Sequence, residues 1–279
     1  MRLPLCVALV AGVCLAPSAA LAAAVQDEAL EAQIRILQDL TRPDEQRAAA
    51  RTHLINFVAR GEQAAVERVL RLGQETTQDN VRLHVAFILA QARMGKSIVP
   101  AARAPAVIKL LSEWLAADKG DAGVRLWAAV GIANTQAEDA LPLLTDKALK
   151  SDGDPVLRAA AARALATWRG ENLVKLVVPL LVELLKDKDV DVRIAGCDAL
   201  RLTDLDDQAT VGPLLEVARG DPEERVWRAA VACLRRLGGG ALSIPQGAED
   251  GDRKQKLQTW ENVWRKKKKV AAKEKEEGT

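Results

Sequence analysis

The chain is 279 residues long and 49% hydrophobic, yet only 3% aromatic and without a single Tyr. That balance suits closely packed alanine- and leucine-rich helices, and it argues against a β-sandwich or barrel, whose strands draw on β-branched and aromatic residues. The formal net charge of +2 hides a split, since residues 26–252 hold 29 basic and 34 acidic side chains while residues 253–279 hold 10 and 4. The mildly acidic body, with no basic helix stripe, argues against nucleic acid as a partner.

Arg2 is followed by an uncharged apolar stretch, then Pro17-Ser18 and a run of small residues ahead of Asp27. This is the layout of a secretory signal peptide over residues 1–24, with Ala20/Ala22 or Ala22/Ala24 suiting a cut. Cleavage and export to the periplasm or beyond are the expectation, with a retained anchor as the alternative. Cleavage would leave two cysteines, Cys197 and Cys233. They sit at different heights on adjacent helices, so small buried residues are expected there rather than a disulfide.

The apolar periodicity predicts helices over 28–40 and 45–59, divided by Pro43, and over 62–72 and 80–92. Residues 94–105 read as an inserted loop. Further helices are predicted at 106–117 and 123–134, at 138–150 and 155–168, at 173–185 and 190–202, and at 208–219 and 222–237. Gly238-Gly239-Gly240 stops this series, because consecutive glycines favour an end over continuation. After a linker at 239–252 comes a last helix, about 254–275, with Leu257, Trp260 and Trp264 on one face. That face is expected to cap the exposed apolar end of the array, leaving the basic run 265–269 in solvent. The run is either a solubilising tail or a weak contact for an anionic surface.

The second helix of each pair repeats one phase. An Arg is followed seven residues later by Leu or Ile: Arg47/Leu54, Arg82/Leu89, Arg125/Ile132, Arg158/Leu165 and Arg193/Leu200, with Trp227/Leu234 keeping the frame without the Arg. Successive spacings are 35, 43, 33, 35 and 34 residues, the signature of a stacked helical array. Each first helix of the later pairs carries a Pro (Pro142, Pro179, Pro213), the turns often open with Asp (Asp121, Asp154, Asp189, Asp221), and the second helix opens as V-R-x-x-A or close to it. With these features the chain resembles the HEAT-repeat family from about residue 27 to 238. The resemblance implies an all-α superhelix of about six helical hairpins, residues 25–238, whose second helices line the concave face. It implies little about function, because the fold serves many tasks.

A group that recurs in every unit suits a stacking device better than a catalyst, so Arg47, Arg82, Arg125, Arg158 and Arg193 are read as structural. Asp121, Asp154 and Asp189 are their expected carboxylate partners across units. The two histidines, His53 and His84, lie in different phases and are followed by Leu54 and Val85. The repeated His-Glu pairs of the HEAT-like deoxyhypusine hydroxylases are therefore absent, and nothing defines the chromophore site of a phycobilin lyase. No catalytic residue, metal ligand set or small-molecule cofactor site is expected. An enzyme of the HEAT-like lyase type stands only as a third reading.

The surface carries more information. Positions one and five after the repeat Arg are charged in the later units, as at Arg163, Asp198 and Arg228, but in units two and three they are Leu83, Phe87, Leu126 and Val130. Four apolar residues on neighbouring helices are expected to form an exposed patch that binds another protein or peptide, unless the 94–105 loop folds over it. The chain is thus expected to be a non-enzymatic interaction scaffold of the cell envelope. The alternative is a protein docked to anionic lipid or polysaccharide through its basic tail.

Overall fold

The computed structural model describes residues 19–60, 63–91, 104–117, 120–150, 154–238, 242–245 and 247–277, with side chains described within these from residue 26 to residue 274, residue 104 excepted. Only six residues of the expected signal peptide fall in this range, and the 94–105 loop, apart from its last two residues, lies outside it. Among the described residues there is no strand.

The elements alternate as an array of hairpins. The outer layer, the first helix of each pair, comprises α1 (Ala19–Gln38), α3 (Gln63–Glu75), α5 (Ala104–Ala116), a segment around α7 (Leu141–Leu144), a segment around α9 (Val178–Leu184), and α11 (Gln208–Gly220). The inner layer, the second helix of each pair, comprises α2 (Asp44–Ala59), α4 (Asp79–Gln91), α6 (Ala122–Thr135), α8 (Pro155–Leu165), α10 (Val190–Thr203) and α12 (Glu224–Leu237). The last element is α13 (Asp250–Glu277), and it packs against α11. Each inner helix contacts the next, so these helices form a continuous wall.

Helix starts follow local chemistry. Asp121, Asp154, Asp189 and Asp207 sit at N-caps, and each accepts a hydrogen bond from a first-turn amide, such as Val124 N at 3.0 Å and Val156 N at 2.9 Å. These caps satisfy donors that the helix itself leaves unpaired. Two prolines of the outer layer, Pro142 and Pro179, lie in distorted helices, whereas Pro213 sits inside the continuous α11. Pro142 sits in a segment that runs from a tight 3₁₀ turn at Glu138–Ala140 through α7 to a wide π turn at Thr145–Leu149. Pro179 follows a π turn at Leu173–Val177. A Pro inside a helix removes one amide donor and crowds the carbonyl four residues back, and the wide turn ahead of Pro179 makes room for it.

The core is the interior between the two layers: Ala50, Leu54 and Val58, then Val85 and Ile88, Ala128 and Ile132, Ala161 and Leu165, Leu200, and Leu234, all buried. Small residues let the layers approach closely. A Cβ on Gly131 would lie 2.6 Å from Leu111 Cδ1, a contact real structures do not make. Neighbouring units are also joined by polar links at the C-terminal ends of the inner helices. Asn134 donates to the Ala90 carbonyl at 2.8 Å, and the buried Trp168 indole N–H donates to the Ala133 carbonyl at 2.7 Å.

The repeat arginines do reach between units, but to carboxylates other than those expected. Arg158 grips Asp187 with Nε and Nη2 at 2.9 and 3.0 Å, and Arg193 grips Asp221 in the same fork at 2.8 and 3.1 Å. Asp121, Asp154 and Asp189 have their lone pairs engaged as N-caps. The carboxylate two residues before an N-cap, or at the end of the outer helix, is the one that faces back toward the previous unit. Arg47 and Arg82 bond Asp44 and Asp79 of their own helices instead.

Leu257, Trp260 and Trp264 of α13 are 0, 7 and 5% exposed. Trp264 donates its indole N–H to Asp206 at 2.5 Å, and Lys268 pairs with the same carboxylate at 2.8 Å. Glu261 bonds Arg219 at 2.5 Å and Arg265 at 2.7 Å. Burial alone would raise the Glu261 pKa, but hydrogen bonds from these two guanidinium groups outweigh it and hold the carboxyl below the usual range. Cys197 and Cys233 are buried and unjoined. Burial pushes the Cys197 thiol up to about 12 and the Cys233 thiol higher still.

Candidate functional site

The inner helices α2, α4 and α6 build the face that the sequence singles out. Successive turns of α4 place Leu83 and Phe87 on it, and α6 contributes Leu126 and Val130. All four are half-buried rather than exposed. The expected open apolar patch is therefore corrected to a partly covered one, because the row on α4 packs against the row on α6. Leu83 lies so close to the start of α6 that a Cβ on Gly123 would stand 3.0 Å from its Cδ1.

Two residues complete the face that the spacing did not mark. Trp127 meets the Phe87 ring edge-on, with centroids 4.4 Å apart and planes at 66°. From the other side the Arg51 guanidinium lies over the same ring, 4.2 Å from its centroid. An edge-to-face aromatic pair and a cation over a ring are both attractive, and together they fix Phe87 in place. Trp127 is one position off the repeat phase and Arg51 belongs to the preceding unit. The one signal for Trp127 was the scarcity of aromatic residues, two Phe and six Trp in the whole chain, and nothing in the sequence marked Arg51.

Behind this face lies a second group. His84, one turn from Phe87, is 8% exposed, and its Nδ1 has no hydrogen-bond partner. Burial first, and then the charges of Arg51 and Arg47, push its pKa down to about 4, so the ring is neutral at pH 7. His53 is exposed on α2, far from the phase of His84. Among the described residues no cluster of three or more His, Cys, Asp or Glu could hold a metal, and no helix is long and apolar enough to cross a membrane. The face offers shape, apolar area and one fixed cation, which is the chemistry of recognition.

The HEAT repeats profile matches residues 68–166, and the single HEAT repeat profile matches 177–201. No curated protein matches the chain. Among solved structures, the X-ray structure of YibA from Escherichia coli is 23% identical and covers 76% of this chain and 73% of its own, with a TM-score of 0.53. The complex of CpcE and CpcF of phycocyanin lyase from Nostoc sp. PCC7120 is 19% identical over 85% of this chain and 83% of that one, at a TM-score of 0.43. A designed armadillo repeat protein in complex with the peptide (KR)4 is 17% identical over 75% and 99%, at 0.42. YibA is similar in fold. The matched repeats and the α-solenoid built from them agree, and the chain is a HEAT-repeat protein.

Proposed function

We propose that the chain is a non-enzymatic interaction scaffold of the cell envelope and takes a protein or peptide on the inner face of units two and three. The observation that carries this reading is the Phe87–Trp127 pair, half-exposed beneath Arg51 and flanked by Leu83, Leu126 and Val130. Aromatic and Arg side chains supply most of the energy at interfaces, and the half of this row left uncovered by the packing of α4 on α6 is available to a partner. The signal-like N-terminal sequence supports export to the periplasm or beyond.

The test is capture from envelope extract with the chain as bait, compared with Phe87→Ser and Val130→Ser. Loss of a captured partner at an unchanged melting temperature supports the inner face as the site. A fall in melting temperature with capture retained assigns these residues to stability and overturns it.

One observation favours a second reading. Residues 265–269 of α13 are all exposed, four of them lysines. Such a run attracts anionic lipid or polysaccharide within a Debye length of about 8 Å at physiological salt. Retention on the envelope that falls steeply with salt, and is lost on deleting 265–279, would mark this mode.

A further inference from the structure

Beside the cap the chain forms a cleft of about 700 Å³, within the size range of small-molecule sites. It runs between Gly238, Leu242 and Ser243 on one side and one face of α13 on the other. Its floor is Leu242, Trp260, Val263 and Trp264. The two indoles are stacked nearly parallel, 9° apart with centroids at 6.3 Å, and both line the cleft. The only polar atom of the Trp264 ring is committed to Asp206, so hydrocarbon faces the cleft. Val263 is 51% exposed, an unusual state for a Val next to two buried Trp side chains.

The polar groups are placed at the margins. Ser243, Gln255 and Thr259 supply neutral donors and acceptors, and Lys256 and Lys267 supply charge. Among the described residues no carboxylate lines the cleft. The two lysines are eleven residues apart on one helix, about 16 Å at 1.5 Å per residue. Lys267 also belongs to the basic run 265–269, which raises the positive potential at that end. An apolar trough with cations at its ends and no opposing acid matches an elongated apolar molecule bearing an anionic group.

We infer that this cleft is a binding site for a single-chain anionic amphiphile, a long-chain carboxylate or its like, with the chain along Trp260 and Trp264 and the head at Lys267. The occupant is a small molecule and not a helix of another protein, because a stable protein interface buries on the order of 1,200 Å² or more in total. The site is separate from the inner face of units two and three, and neither depends on the other.

A long-chain fatty acid brominated along its chain tests this, since bromine quenches an indole it touches. The full chain is titrated below the micellar concentration at 0.15 M salt, alongside the methyl ester of the same acid. The expected result is saturable quenching of part of the tryptophan emission, at least tenfold weaker binding of the ester, and at least tenfold weaker binding of the acid to Lys267→Glu and Val263→Glu. Lys266→Glu, with the same change of charge outside the cleft, should bind within about twofold of the parent. Circular dichroism melts of all three variants check that the cap stays folded. Absence of saturable quenching overturns the proposal. Equal binding of acid and ester overturns the anionic assignment, and equal loss in Lys266→Glu and Lys267→Glu assigns the effect to the basic tail as a whole. Capture by anionic phospholipid vesicles with no response to the monomeric acid assigns the site to a membrane surface and overturns it as well.

Discussion

Arg193 and Asp221 stand 28 residues apart in sequence and form a two-point fork, with both side chains nearly buried. Arg158 and Asp187 repeat that arrangement one unit earlier. Arg47 has the same phase but pairs with the exposed Asp44 of its own helix, and its Nε and Nη1 are buried without a hydrogen-bond partner. At the same spacing of 28 residues stands Glu75, the last residue of α3, which is exposed where Asp221 is nearly buried.

Substituting the repeat arginines by Met should therefore give opposite results. Arg158→Met leaves the largely covered Asp187 without its cation, holding only the Asp189 amide, and should cost about 3 kcal/mol in urea unfolding. Arg47→Met removes unpartnered buried nitrogens and leaves only an exposed Asp44, so its cost should fall below about 1 kcal/mol. Equal losses would mean that the fork contributes nothing beyond packing.

The cap is tied to the array by a close approach. A Cβ on Gly238 would overlap the Trp260 ring. Gly238→Ala should displace α13 and expose its indoles, read as a red shift of tryptophan emission and faster proteolysis after Gly238. Leu257→Ala, which empties a fully buried site, should cost about 2–4 kcal/mol. Unchanged emission in Gly238→Ala would show that the cap tolerates the added methyl.

Stability should fall with pH in two steps. The His84 pKa is about 4 in the fold against an ordinary 6.5, so between these values the unfolded chain binds a proton that the fold refuses. Its contribution is complete above pH 6.5 and is lost as pH falls toward 4, on the order of 2 kcal/mol once solvent screening is allowed for. His84→Gln should flatten the urea midpoint between pH 7 and 5. Glu261 acts lower. Its depressed pKa stabilises the fold above its ordinary value of 4.5, and this is lost as pH falls through the folded value. Glu261→Gln should remove that acid limb while leaving the His84 step.

Both thiols should be silent in the fold. Cys197 and Cys233 are fully buried with raised pKa values, so almost no thiolate forms at pH 8. With Cys6 and Cys14 replaced by Ser, an aromatic disulfide reagent should titrate neither until denaturant is added, and then both at once. Reaction of one thiol under native conditions would reveal local opening of α10 or α12.

The architecture was legible because it is written redundantly. The Arg phase, the apolar residue seven on, the Asp turns and the helix prolines all gave the same hairpins, and most predicted ends fall within two or three residues of the observed ones. Asp154 and Asp189 were misread as ladder partners because one residue type serves two purposes in a turn. The N-cap claims the Asp adjoining the helix, and Asp187 and Asp221 take the Arg. The left-handed C-caps at Gln136 and Asp204 carry no glycine to announce them. At the inner face, Leu83, Phe87, Leu126 and Val130 were readable as apolar positions, but their half-burial was not. It depends on how closely α4 and α6 approach and, at Phe87, on Trp127 and Arg51, which reach the ring from other helices.

The forks at Arg158 and Arg193 act along the length of the array, and so does the Trp168 N–H bond to Ala133. Between units one and two the ties are of another kind: Glu31 of α1 pairs with Arg68 of α3, and Arg51 of α2 lies over the Phe87 ring of α4. The second of these ties lies within the inner face itself, so a partner seated on Phe87 would bear on the joint between α2 and α4 as well as on the ring, and its binding should stiffen the N-terminal end of the array.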